Sequence, residues 1–125
     1  MSYSYKELIV WKKSRELTSA VYRATQAFPP SELYGLTSQT RRAAVSVASN
    51  IAEGQGRLTR GEFRHFLGQA RGSLLELETQ LIIAMDLGFL SEDDLKSFET
   101  RIAEVSRILN GLMESLRESS KAAGA

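Results

Sequence analysis

The sequence predicts an all-α protein, an antiparallel up-down-up-down four-helix bundle. Three observations carry this. Apolar residues recur in steps of three and four along every long segment. The breaks between segments are short and hold proline or glycine. No stretch alternates as a half-buried strand does or carries a hairpin turn. The 125 residues read as a single domain, residues 1–125, long enough to bury roughly two-thirds of the unfolded surface.

The first helix is expected over about 6–28. Val10, Leu17, Val21, Ala24 and Phe28 mark its buried face, with Ser14 filling the gap. Pro29-Pro30 ends it, because proline lacks a donor and restricts the residue before it. After a connection containing Leu33, Tyr34 and Gly35, a second helix is expected over about 36–54. Leu36, Thr40, Ala43, Val47 and Ile51 lie on one side, and Gly54 and Gly56 stop it. The third, about 60–87, opens on a Thr59–Glu62 capping box. Phe63, Leu67, Ala70, Leu74, Leu77, Leu81 and Ala84 then repeat in fours and threes, and Gly88 closes it. At ~1.5 Å per residue this rod is about 42 Å long, with flanks suited to side-by-side association. The fourth, about 92–118, opens at Ser91. Glu92, Asp93 and Asp94 complement its positive end. Leu95, Phe98, Ile102, Val105, Leu109, Leu112 and Leu116 form its stripe, and the tail over 119–125 is expected to fray.

The composition is 42% hydrophobic and 25% charged, ordinary for a soluble globular chain. The absence of cysteine excludes disulfides and thiolate metal sites. No run reaches the ~20 apolar residues of a membrane span, and the start lacks a secretory signal, so no membrane partner and a cytoplasmic location are expected. The formal charge of +1 conceals a gradient. Residues 37–73 hold six arginines against Glu53 and Glu62, whereas residues 74–90 hold only Glu76, Glu78 and Asp86.

Catalytic constellations are weak. Glu62 and His65 form the E-x-x-H pair of di-iron bundles, but such sites need two pairs and further carboxylates, and this chain has one histidine. Gly54, Gly56 and Gly61 resemble a phosphate loop without its Gly-Lys-Ser/Thr ending, and a helix stop explains them. No nucleophile elbow is present. No enzyme, cofactor, metal or small-molecule substrate is expected.

The arginines point elsewhere. Arg57, Arg60, Arg64 and Arg71 fall on one flank of the third helix, Arg57 within the preceding loop. Arg41, Lys12 and Lys13 are candidates to extend the patch. Guanidinium groups donate bidentate hydrogen bonds and stay charged, which suits phosphates. The alternative is a solvated face, or pairing with Glu76, Glu78 and the acidic fourth helix. A second pattern is the polar line Gln39, Arg42, Ser46, Asn50 and Glu53, flanked by small apolar residues. Together with Ser73 and Glu76 it reads as a covered polar network that fixes helix register or subunit packing. Gly61, Gly68 and Gly72 also line up on the third helix. Each costs a helix interior ~1 kcal/mol, so close approach of a helix, from this bundle or another subunit, is expected there.

The segments LIVWKKSRELTSAVY, ELYGLTSQTRRAAVSVASNIAEG and FRHFLGQARGSLLELETQL together resemble the 23S rRNA-intervening-sequence proteins, over about residues 5–118. That family is similar to the accessory variability determinant of diversity-generating retroelements, a basic pentameric barrel of four-helix bundles that binds nucleic acid. The resemblance implies a bacterial homo-oligomer, a pentamer, with an RNA or DNA partner and no catalytic residues. By motif position it marks Arg42, Asn50, Glu53, Arg57, Gly72, Ser73 and Glu76. Two readings follow: a nucleic-acid-binding oligomer, and a structural or protein-scaffolding module with no nucleic-acid role.

Overall fold

The computed structural model describes the backbone of residues 4–124 and the side chains of residues 4–117. Four α-helices form a bundle: α1 (Ile9–Thr25), α2 (Leu36–Gln55), α3 (Arg60–Asp86) and α4 (Glu92–Gly124). Each packs against its two neighbours in the cycle, α2 with α3 most closely and α1 with α4 most sparsely. Among the described residues the backbones of diagonal pairs stay apart. The described residues include no strand.

The core lies on the axis. Val10, Leu17 and Val21 of α1, Val47 and Ile51 of α2, Leu67, Leu74, Leu77 and Leu81 of α3, and Val105 and Leu109 of α4 are at most 2% exposed. Each such side chain contributes roughly 1.5–3 kcal/mol of burial. Ser14 does fill the gap in the α1 stripe, fully buried, its hydroxyl donating to Val10 O at 2.7 Å. Low on α4 the buried position is Met113, while Leu112 and Leu116 are only partly covered. A straight helix drifts by about 20° per heptad against a 3.5-residue repeat, which carries the stripe sideways.

Helix ends depart from expectation for physical reasons. Tyr5–Glu7 form a short 3₁₀ turn, and extended Leu8 separates it from α1. This folds Tyr5 back edge-on to Trp11, with centroids 5.2 Å apart. α1 stops at Thr25, since Pro29 disfavours helical geometry at Phe28. Phe28 still plugs that end of the core, 5.9 Å from Phe89. The helical backbone of α4 continues to Gly124, and residues 112–123 contain neither glycine nor proline to stop it.

Gly54 is a correction. It does not stop α2 but lies buried within it. A Cβ there would meet Phe66 Cβ at 2.9 Å and Phe63 Cδ1 at 3.0 Å, so glycine lets α3 cross α2 closely. Gly88, by contrast, has φ 79° and ends α3 as expected. Phe89 N–H donates to Ala84 O at 2.8 Å and Gly88 N–H to Met85 O at 2.9 Å, the paired bonds of a Schellman motif.

Candidate nucleic-acid interface

The outer face of α1 follows from helical period. Lys12, Glu16, Ser19 and Arg23 share one side, with Arg15 on its flank. Lys6 from the 3₁₀ turn and Arg101 from α4 complete an open groove of about 1050 Å³. Five cations line it, all exposed, with Glu16 as the one carboxylate in the wall. None of these six charged side chains joins an ion pair among the described residues. Five cations against one carboxylate produce a positive field that an anion relieves.

The seven cationic candidates do not form one row. Lys12 enters the groove just described. Lys13, one position on, turns away and meets Glu104 at 3.7 Å. Arg57 is bound to Glu53 at 2.6 Å and stacks over Phe66, on the α2 side of α3. Arg41 lies between α1 and α2, donating from Nε to Thr25 Oγ1 at 2.8 Å and stacking on Tyr22 at 4.7 Å. Arg64 and Arg71 share the edge of α3 near α4, and helical period puts Arg60 in line with them. Arg64 Nε donates to Met113 O at 3.1 Å, and Arg71 to Asn110 Oδ1 at 3.3 Å. Those acceptors are neutral, so the charges persist. Around Arg71, however, the surface also presents Glu78 and Glu99.

The polar network is smaller than the sequence pattern. Ser46 and Ser73 hydroxyls meet across α2 and α3 at 2.8 Å, and Asn50 Nδ2 donates to Ser46 O at 2.9 Å and Ser46 Oγ at 3.0 Å. Glu53 turns to Arg57 instead. Arg42 and Glu76 are exposed and have no hydrogen-bond or ion-pair partner among the described residues. The reason is angular: both sit further round their helices than the serines, toward water. Gly68 and Gly72 are also clarified. An added Cβ at Gly72 meets nothing within 4 Å, and at Gly68 only Met113 Cε at 3.9 Å, so no helix of this bundle closes on them.

Glu62 serves the α3 cap, its backbone N–H donating to Thr59 Oγ1 at 3.1 Å, and His65 Nε2 lies 3.2 Å from the Gln69 amide. Among the described residues no three His, Cys, Asp or Glu side chains gather to hold a metal, and no helix is long and apolar enough to cross a membrane.

Compared with known families, residues 6–111 match the model of the 23S rRNA-intervening sequence protein. The chain belongs to that family. A solved structure of a Bacteroides thetaiotaomicron protein of unknown function, from the S23 ribosomal protein family, superposes with a TM-score of 0.75 at 19% identity. It covers 84% of this chain and 98% of its own. At that identity the likeness establishes the bundle. No curated protein matches the chain.

For this family member, sequence reasoning missed two features. One is the contribution of Lys6, Arg23 and Arg101 to a single groove. The three-four spacing of Lys12, Arg15, Ser19 and Arg23 signals a shared α1 face, but nothing in the sequence brings Arg101 beside it. The other is Gln80, 8% exposed on α3, whose Oε1 has no hydrogen-bond partner among the described residues. A polar residue directly before Leu81 in the buried stripe was its signal.

Proposed function

We propose that this chain is a non-enzymatic, self-associating bundle that binds RNA or DNA through phosphate contacts. The observation that carries the reading is the α1–α4 groove, where Lys6, Lys12, Arg15, Arg23 and Arg101 face water against one carboxylate. Arg60 and Arg64 add a second positive edge on α3. Each patch is modest, and several copies in one assembly would sum their contacts through multivalency. Five copies is the count the family resemblance implies.

Self-association uses the outer face of α3 in this reading. Gly68 and Gly72 leave room for another backbone, and Leu75, Ile82 and Ile83 continue the same side as exposed apolar residues. Close helix contact would offset the helix propensity lost at the glycines.

The test is binding measured against salt. Affinity for RNA should fall steeply as salt rises, with little sequence preference. Lys12→Glu combined with Arg23→Glu should weaken binding at least tenfold and flatten the salt slope by about two units, roughly one per lost phosphate contact. Absence of binding at low salt overturns the reading. Equal loss from Arg60→Glu with Arg64→Glu alone moves the interface to α3.

The second reading, a structural or protein-scaffolding module, draws on the internal engagement of polar residues. Ser46, Asn50 and Ser73 bind one another, and Arg57 is neutralised by Glu53. An assembly that survives the α1 charge reversals, in a chain that never bound RNA, supports it.

A further inference from the structure

Resting on the nucleic-acid reading, we infer that the strand bound is single-stranded, with a base inserted in an apolar slot beside the basic groove. The slot lies between α1 and α2 and has a volume of about 350 Å³. Tyr5, Trp11, Val45, Ala48 and Ala52 line it, together with Thr18 and the small serines 19 and 49. It shares Trp11, Arg15 and Ser19 with the five-cation groove, so the two are halves of one surface.

That juxtaposition has a chemical meaning. A phosphate chain in the groove needs only cations. A ring in the adjoining slot needs an apolar opening with an aromatic wall, and the small side chains of α2 leave room for it. Trp11 is half-buried, wedged by Tyr5 at its edge and with the Arg15 guanidinium 5.7 Å from its ring centroid. Arg15 thus stands where a phosphate and its base would diverge, able to serve the anion while the indole serves the ring. Val45 remains 41% exposed on the lip, an apolar side chain facing water without a partner in this chain. A duplex turns its bases inward and presents only phosphates, so it could use the groove but not the slot. An acidic amphipathic helix is the competing occupant, because Val45, Ala48, Ser49 and Ala52 span two turns of α2; the continuity of the slot with the five-cation groove favours a strand that carries a phosphate beside each base. Phosphate groove plus stacking slot is the arrangement suited to unpaired nucleotides.

Trp11 is the chain's one tryptophan, so its fluorescence reads the slot directly. The probes are oligouridylate, a fully paired RNA duplex, heparin as a polyanion without bases, and an acidic amphipathic peptide. Oligouridylate should quench Trp11 at low salt, and the duplex and heparin should bind without comparable quenching. Trp11→Leu should weaken oligouridylate binding about tenfold while sparing heparin, and Trp11→Phe should restore most of it. Quenching by heparin or duplex equal to that by oligouridylate overturns the slot while leaving phosphate binding intact. Quenching by the peptide alone assigns the surface to a protein and overturns it too. No binding by any nucleic acid defeats the underlying reading itself. Should Trp11→Leu fail to fold, quenching of the unaltered chain decides.

Discussion

Single residues show how one amino-acid type does different work in different surroundings. Gly54 and Gly72 both sit inside helices, yet a Cβ at Gly54 strikes Phe66 and Phe63, and at Gly72 it meets open space. Gly72→Ala should therefore raise the stability of an isolated subunit by about 0.5–1 kcal/mol through helix propensity. Gly54→Ala should lower it by about 1–2 kcal/mol, because the overpacking between α2 and α3 outweighs that gain. Denaturant melts of the two variants check the pair, and a stabilised Gly54→Ala would contradict the close crossing. The sequence showed both glycines and misread one. A glycine near a helix end signals a stop, and only the descent of Phe63 and Phe66 from the next helix reveals a contact. Lys12 and Lys13 teach the same lesson. They are neighbours in the chain but about 100° apart around α1, and so one meets Glu104 while the other faces an open groove.

Among the elements, α3 is the most legible from sequence, because its signals agree. Thr59 caps its start, receiving the Glu62 N–H at 3.1 Å, and Gly88 closes its end at positive φ. Thr59→Ala should cost about 1 kcal/mol, and Gly88→Ala about 1–2 kcal/mol by forcing a side chain into left-handed geometry. Thermal unfolding of each variant measures this. The arginine row on the same helix was less legible. Helical offsets give the angle of Arg60, Arg64 and Arg71 correctly, but they do not say what stands opposite. The structure supplies Met113 O and Asn110 for two of them, and carries Arg57 off to Glu53. The polar line on α2 divides for the same reason: Ser46 and Asn50 face α3, whereas Arg42 turns to water.

For the molecule as a whole, the bundle was readable because burial, period and breakers all point to one architecture. What joins different helices was not, since the groove depends on Arg101 arriving beside a face of α1 some eighty residues earlier in the chain. The assembly belongs to this scale as well. If the chain self-associates through α3 as proposed, Leu75→Glu, on the exposed side of that helix, should yield monomers without unfolding them, as mass in solution by light scattering would show. An unaltered mass would place the subunit contact on another face. The sparse packing of α1 on α4 also has a bearing on the empty protein. The Lys13–Glu104 pair crosses that thin seam, and beside it Arg23 of α1 and Arg101 of α4 bring like charge to one groove. If the proposed phosphate strand occupies the groove, it acts as mortar, replacing repulsion with shared attraction. Occupancy and rigidity then rise together, and the loaded protein is the one harder to melt.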